Sequence, residues 1–382
     1  MKKIAFYLLS VIAFILLIII GLHLAWYFQK PKTLNLYILD KTVTQADRIE
    51  HKSLVWLLNH FRIVGPDGKS YNHKTDYWGF FPIDLNQQLF DIKSIRLNEV
   101  DAYAAVYDAA YYADCYGVYS YEWYKTKTKT PNSSKVYGGL NQNDYLLLKR
   151  MKELDKLIIG EYNMFSSPTN ALIRTKTEEL FNVTWTGWAG KYCSNLGVIN
   201  YGKGPAEWMI KLYEKQHHRP WPSKGSGIIL ISNDGLIDVL EEETHLQDPK
   251  VKIVPETAIL QWSNNPKDTE FYGWFDIIIE GNGSEVYASF KLETTPEGEE
   301  KLKSYGLKNQ FPAVVKGHSD KFCYYFAGDF AENNVSMATS KLKGGKTFNK
   351  LLHLNSHKIK FFNDFYLPLL KNIISHYTEN QM

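Results

Sequence analysis

Residues 145–165 read YLLLKRMKELDKLIIGEYNMF. Apolar side chains recur at helical spacing over a helix expected at 143–154, and Asp155 ends it. Residues 156–161 (KLIIGE) then predict a third strand, apolar through Ile159 and ended by Gly160 and Glu161. A helix that passes into a buried strand within two residues is one half of a parallel crossover, because parallel neighbours cannot be joined by a tight turn.

Upstream, residues 34–40 (LNLYILD) predict a buried strand, and 53–61 (SLVWLLNHF) follow with helical spacing. Residues 102–113 (AYAAVYDAAYYA) predict a second strand, ending in Asp114-Cys115-Tyr116-Gly117. The polar stretch 125–135 reads as an exposed loop. Downstream, Ser166-Ser167-Pro168-Thr169 supplies the cap for a helix over 170–181, with a short strand over 183–187. A helix over 205–216 precedes a hairpin, 227–232 with 236–240, turned by Asn233-Asp234-Gly235. Further strands are expected at 271–280, 285–293, 313–315 and 322–326, with helices at 296–305 and 364–376. The expected fold class is α/β: a mainly parallel sheet flanked by helices, flavodoxin-like in layout, with β-rich additions in the C-terminal half.

Ahead of all this lies IAFYLLSVIAFILLIIIGLHLAWYF, residues 4–28, without a charge. At about 1.5 Å per residue it can cross a hydrocarbon core of about 30 Å. Lys2 and Lys3 precede it, and Trp26 and Tyr27 sit where an interfacial aromatic belt belongs. A cleaved signal peptide fits less well, because the apolar region is too long and no small-x-small site precedes Gln29. The division expected is an anchor over 1–30 and a globular region over 34–382, with an insertion at roughly 196–310. Lys30 and Lys32 nearly balance Lys2 and Lys3, so the charge rule hardly sets orientation. A large domain after one N-terminal anchor is commonly translocated, which favours a location outside the cytoplasm.

Net charge is +3, with no basic tract, so nucleic acid is not an expected partner. The three cysteines, Cys115, Cys193 and Cys323, have no CxxC spacing and suggest neither a disulfide framework nor a zinc site. No metal or cofactor is expected. The outlier is the aromatic content, 15% of the chain with 26 Tyr and 10 Trp. Such side chains serve a core, or a cleft where flat rings stack on sugars.

The opening ILDKTV with its helix, the YDAAYYAD segment, residues 145–165 and the late FPAVVKGHSDKFCYYFAGDF together resemble the class I glutamine amidotransferase-like fold, in the broad sense that includes its non-amidotransferase relatives. The likeness rests on order and texture, over roughly 34–183 and the stretch after Phe311. It implies a nucleophile turn after Gly160. There this chain reads Glu161-Tyr162-Asn163, without a thiol or hydroxyl, and no His-x-Glu follows. Glutamine hydrolysis is therefore not expected.

Acids gather at expected strand ends: Asp40, Asp114 and Glu161, with Asp329 after Phe326. Ligands bind at that edge of a parallel sheet. Asp40, Asp114 and Glu161 are candidate acid/base groups for a carbohydrate ligand, the competing reading being that each caps a helix or loop. Lys41 and His51 sit beside Asp40, the latter within Arg48-Ile49-Glu50-His51, and are candidate ligand contacts. Tyr116, Asn163, Arg174 and Asp329 are further candidates. Trp185, Trp188 and Tyr192, in TWTGWAGKY, can stack on a flat ligand or plug the core. Cys115 alone among the cysteines stands where a nucleophile would, and Gly138-Gly139 can be either an amide nest or a plain turn. The two functions expected from different classes are a membrane-anchored enzyme of a cell-envelope glycan and a non-catalytic binding or scaffolding module.

Overall fold

The structure, a computed structural model, describes residues 2–124, 134–199, 204–262, 264–318, 321–354 and 356–380. Most of the polar stretch 125–135 lies outside the described residues.

The fold is mixed α/β around one large sheet. Its ten strands among the described residues run, edge to edge, Thr269–Phe271, Leu246–Pro255, Glu285–Thr294, Gln310–Lys316, Cys323–Phe326, Leu157–Glu161, Ala109–Asp114, Leu36–Asp40, Trp78–Asp84 and Leu89–Lys93. The five from Cys323–Phe326 to Trp78–Asp84 are parallel neighbours. The other pairings in this sheet are antiparallel. The expectation of a mainly parallel sheet thus holds only for the centre. There the strands Leu36–Asp40, Ala109–Asp114, Leu157–Glu161 and Cys323–Phe326 are buried at every position, as covering on both faces requires. A second, antiparallel sheet orders Ile237–Glu241, Gly227–Ser232, Val183–Cys193 and Trp274–Glu280.

Several sequence expectations need correction. Residues 102–113 are not one strand: Val100–Val106 is a helix, and the strand begins only at Ala109. Alanine favours the helix, and Asp108 ends it by accepting a 2.7 Å hydrogen bond from the Asn35 amide. The helix Ala171–Phe181 is capped by Asn170, which accepts from the Leu172 amide, and not by the preceding serines or Thr169. The short strand expected at 183–187 continues to Cys193 through an irregularity between Trp185 and Trp188. Residues 271–280 split between the two sheets. The closing helix Leu367–Asn380 is entered through a π turn, Phe362–Tyr366.

The helix Lys2–Tyr27 is long and apolar enough to cross a membrane, with a mean hydropathy of 3.0 over 18 of its residues. Its end is fastened to the globular part. Trp26 is buried, donates its indole N–H to the Asn59 carbonyl (2.9 Å) and lies under the Arg62 guanidinium. The helix Ile49–His60 consequently runs from the C-terminal edge of the central strands, where His51 meets Asp40, to Asn59 beside the end of the N-terminal helix. Eight residues at about 1.5 Å each put about 12 Å between them. The carboxylate-bearing edge lies away from the end of the N-terminal helix.

Candidate functional site

The central strands deliver Asp40, Asp114 and Glu161 to one edge, as the sequence suggests, and neighbouring strands pair Asp40 with Asp114. Their environments differ sharply.

Asp40 is sealed. One oxygen lies 2.5 Å from His51 Nδ1 and the other accepts from the Thr42 amide (3.0 Å). His51 Nε2 donates to the His73 carbonyl at 2.7 Å, so both ring nitrogens are occupied and the ring is fully buried. Lys41, equally buried, pairs with Asp144 at 2.5 Å and donates to the Gly139 carbonyl at 2.9 Å. Burial pulls its pKa down, but the Asp144 carboxylate overcomes this and holds it above the ordinary lysine range. Lys41 and His51 thus brace the loops behind the edge.

Glu161 is also enclosed. It accepts from the Tyr111 hydroxyl and from the Ala331 amide, and Tyr366, aimed inward by the π turn, meets Tyr111 oxygen to oxygen at 2.9 Å. Burial raises its pKa well above the carboxylate range. Its place in the middle of the sheet matches the sequence reading; its lack of access does not.

Asp114 has the most open setting of the three. It accepts from the Tyr116 amide at 2.8 Å; burial pushes its pKa up to about 7, and the charge of Asp40 adds to that. The half-buried Glu332 acts by its charge on Asp114 and on the half-buried Glu50 and Asp329, and Asp114 acts in turn on Glu50 and Asp329. Glu332 bonds to Lys358 at 2.8 Å. Burial works against its ionisation, but hydrogen bonding with Asp329 and the Lys358 charge hold it at about 2. Burial and the neighbouring Glu332 drive Asp329 the other way, well above its ordinary value. Glu50 is raised by burial and by Asp40, and its Oε2 is buried without a hydrogen-bond partner.

The second sheet closes the flank. The Asp276 amide donates to the Ala327 carbonyl and the Asp329 amide to that of Trp274, which places Trp274 beside Asp329. The Trp274 ring lies nearly parallel to that of Tyr162 (6.5 Å), and Lys191 Nζ stands 5.3 Å from it. Burial, then the Lys358 charge, lowers the Lys191 pKa.

Other candidates fall elsewhere. Trp185 and Trp188 are buried, with the Trp185 indole donating to the Trp188 carbonyl and Arg174 lying over the Trp185 ring. They lie on a strand that also carries Lys191, about 20 Å from Trp185 and about 10 Å from Trp188 at about 3.3 Å per residue. They form a plug, and Arg174 belongs to it. Asn163, at φ 69, closes its own turn by accepting from Ser166. Tyr116 is half-buried beside Asp114 and packs on Tyr119 (5.0 Å). Cys115 is enclosed, and burial raises its thiol well above the usual range. The Gly139 amide is taken by the Cys115 carbonyl, so the pair of glycines makes a turn. Glycine is required there: at Gly138, φ 137, a Cβ would lie 2.4 Å from Gly117 Cα.

Cavities of about 440 Å³, beside Tyr192 and Lys250, and about 560 Å³, beside Glu256 and Ser289, lie among the antiparallel strands, and neither includes a strand-end acid. The chemistry nonetheless concentrates at the strand ends, where carboxylates of opposite titration behaviour meet. Among the described residues no group of three His, Cys, Asp or Glu side chains is disposed to hold a metal ion. Sequence reading missed Glu332, Lys191, Lys358 and Trp274, which come from segments far apart in the chain. The sequence matches no protein-family model and no curated protein.

Proposed function

We propose that this is a single-pass membrane protein whose globular region, an amidotransferase-like domain without glutamine-hydrolysing machinery, lies outside the cytoplasm and holds a cell-envelope glycan at the strand-end carboxylates. The observation that carries this reading is the split among the acids: Glu332 is held ionised beside Lys358 while Asp114 keeps its proton up to about pH 7. Carboxyls pushed apart in this way accept and donate to sugar hydroxyls and supply the base and acid of glycoside cleavage. Trp274 and Tyr116 add ring faces.

The non-catalytic binding module is the second reading. It is favoured by the enclosure of Asp40 and Glu161, which leaves Asp114 alone of the three strand-end acids near solvent. Titration of the full chain in nanodiscs with an N-acetylated cell-wall oligosaccharide, with reducing ends followed in parallel, separates the two. Binding with new reducing ends supports the enzyme, and binding without them supports the module. Absence of binding removes both.

A further inference from the structure

The anchor's last turns touch a segment distant in sequence. The Lys343 amide donates to the Leu22 carbonyl at 3.1 Å, and His23 Nδ1 lies 2.9 Å from the Lys341 carbonyl. Two residues later begins the helix Gly345–Leu352. Its polarity is inverted relative to an ordinary surface helix. Asn349 points inward, fully buried and accepting from the Ser336 amide, while Leu351 and Leu352 point outward, 56% and 63% exposed. Phe348, Leu351 and Leu352 stand at i, i+3 and i+4, one stripe, and Leu354, 71% exposed, prolongs it. Soluble surfaces do not normally turn such a stripe to water.

Charge points to the occupant. Lys341, Lys343 and Lys350 are exposed and Lys346 is half-buried, while the sequence has no Asp or Glu between Glu332 and Asp364. Basic residues around an apolar helix face suit a surface of anionic headgroups over hydrocarbon. The helix is about 12 Å long and starts beside Leu22 and His23, within about 9 Å of the end of the apolar run at Phe28, so it stays near the level of the interface.

We propose that residues 341–354 form a second membrane contact, resting on the reading of residues 4–28 as an anchor: Lys341 and Lys343 meet anionic phospholipid headgroups, and Phe348, Leu351, Leu352 and Leu354 enter the interfacial layer. With the anchor's end clamped at Trp26, this contact fixes the tilt of the domain and holds the strand-end carboxylates away from the bilayer.

The test uses the full chain in nanodiscs with a nitroxide at Leu352→Cys; Cys115, Cys193 and Cys323 are buried and do not compete for label. Ile12→Cys, in the anchor, and Leu154→Cys, on the globular surface, are controls. Power saturation against oxygen and a nickel chelate reads depth. The expected result is a several-fold higher oxygen-to-nickel ratio at 352 than at 154. That ratio should rise in discs containing phosphatidylglycerol over phosphatidylcholine alone, and Lys341→Gln/Lys343→Gln should remove the rise. A water-like label at 352 with a lipid-like label at 12 overturns the second contact and leaves the anchor standing. Spin–spin broadening between copies at 352 overturns it too, assigning the stripe to self-association. A water-like label at 12 overturns the anchor and the contact together.

Discussion

Lys41 Nζ lies 2.5 Å from Asp144 Oδ2, with both side chains enclosed and the lysine also donating to the Gly139 carbonyl. The pair binds the loop after the Leu36–Asp40 strand to the start of the helix Gln142–Glu153, whose cap, Asn141, bonds reciprocally with Asp144. Asp144→Leu leaves a buried ammonium without its counter-charge, so it should cost about 3–5 kcal/mol in urea unfolding. Lys41→Met/Asp144→Leu, which removes both charges, should recover most of that loss. Equal losses in the single and double variants would deny the pairing.

The clamp at Trp26 predicts where the anchor can be cut. A chain starting at Leu22 keeps the indole bond to the Asn59 carbonyl and the Arg62 contact; one starting at Pro31 loses both. The shorter chain should be less stable by about 3–5 kcal/mol, the range for deleting a buried tryptophan. Denaturant midpoints of the two purified proteins decide it, and coincident midpoints would mean that the contact adds nothing.

Stability should also depend on pH with a definite sign. Asp114 binds its proton more tightly folded than unfolded, as does Asp276, which burial raises to about 7. Their contribution is complete below about pH 4, the unfolded carboxylate range, and is lost as pH rises through about 7. Each group adds up to about 1.4 kcal/mol per pH unit to the decline in that window. Asp114→Asn should flatten the fall in melting temperature between pH 5 and about 7.5. An unchanged profile would place the Asp114 titration outside that window.

The aromatic assignment is separable as well. Trp274→Ala should weaken oligosaccharide binding at least tenfold, about 1.4 kcal/mol, with little change in fold, because the side chain is only half-buried. Trp185→Ala, from the buried plug, should cost about 3–5 kcal/mol of stability and leave affinity unaltered. The opposite pattern would return the ligand to the TWTGWAGKY segment.

These contrasts mark what the sequence could disclose. Leu157–Glu161 and the hairpin of Gly227–Ser232 with Ile237–Glu241 were readable because apolar runs end at turn residues. The strand Leu246–Pro255 escaped because LQDPKVKIVP mixes charge and proline and makes its case only by pairing with two neighbours. Residues 102–113 misled because alanine and tyrosine fit either structure, and Asn35, far away in sequence, decides the break. Asp114 could be placed by its strand end. Glu332, Lys358 and Trp274 could not, since the second sheet brings Trp274 to the segment after Cys323–Phe326, the helix His357–Phe361 brings Lys358 to Glu332, and no spacing announces either.

The central claim is that Glu332 and its neighbours form the ligand site while Glu161 is structural. Affinity for the N-acetylated oligosaccharide, measured beside the unfolding midpoint in Glu332→Gln and Glu161→Leu, tests it most directly. Glu332→Gln should lose at least tenfold in affinity, about 1.4 kcal/mol. Its stability should fall by no more than about 1 kcal/mol, because the Lys358 pair is half-exposed. Glu161→Leu removes one partner of the Tyr111 hydroxyl, strands the Ala331 amide and should lose about 1–3 kcal/mol of stability with affinity intact. Loss of binding in Glu161→Leu at unchanged stability, with Glu332→Gln binding normally, would contradict the account.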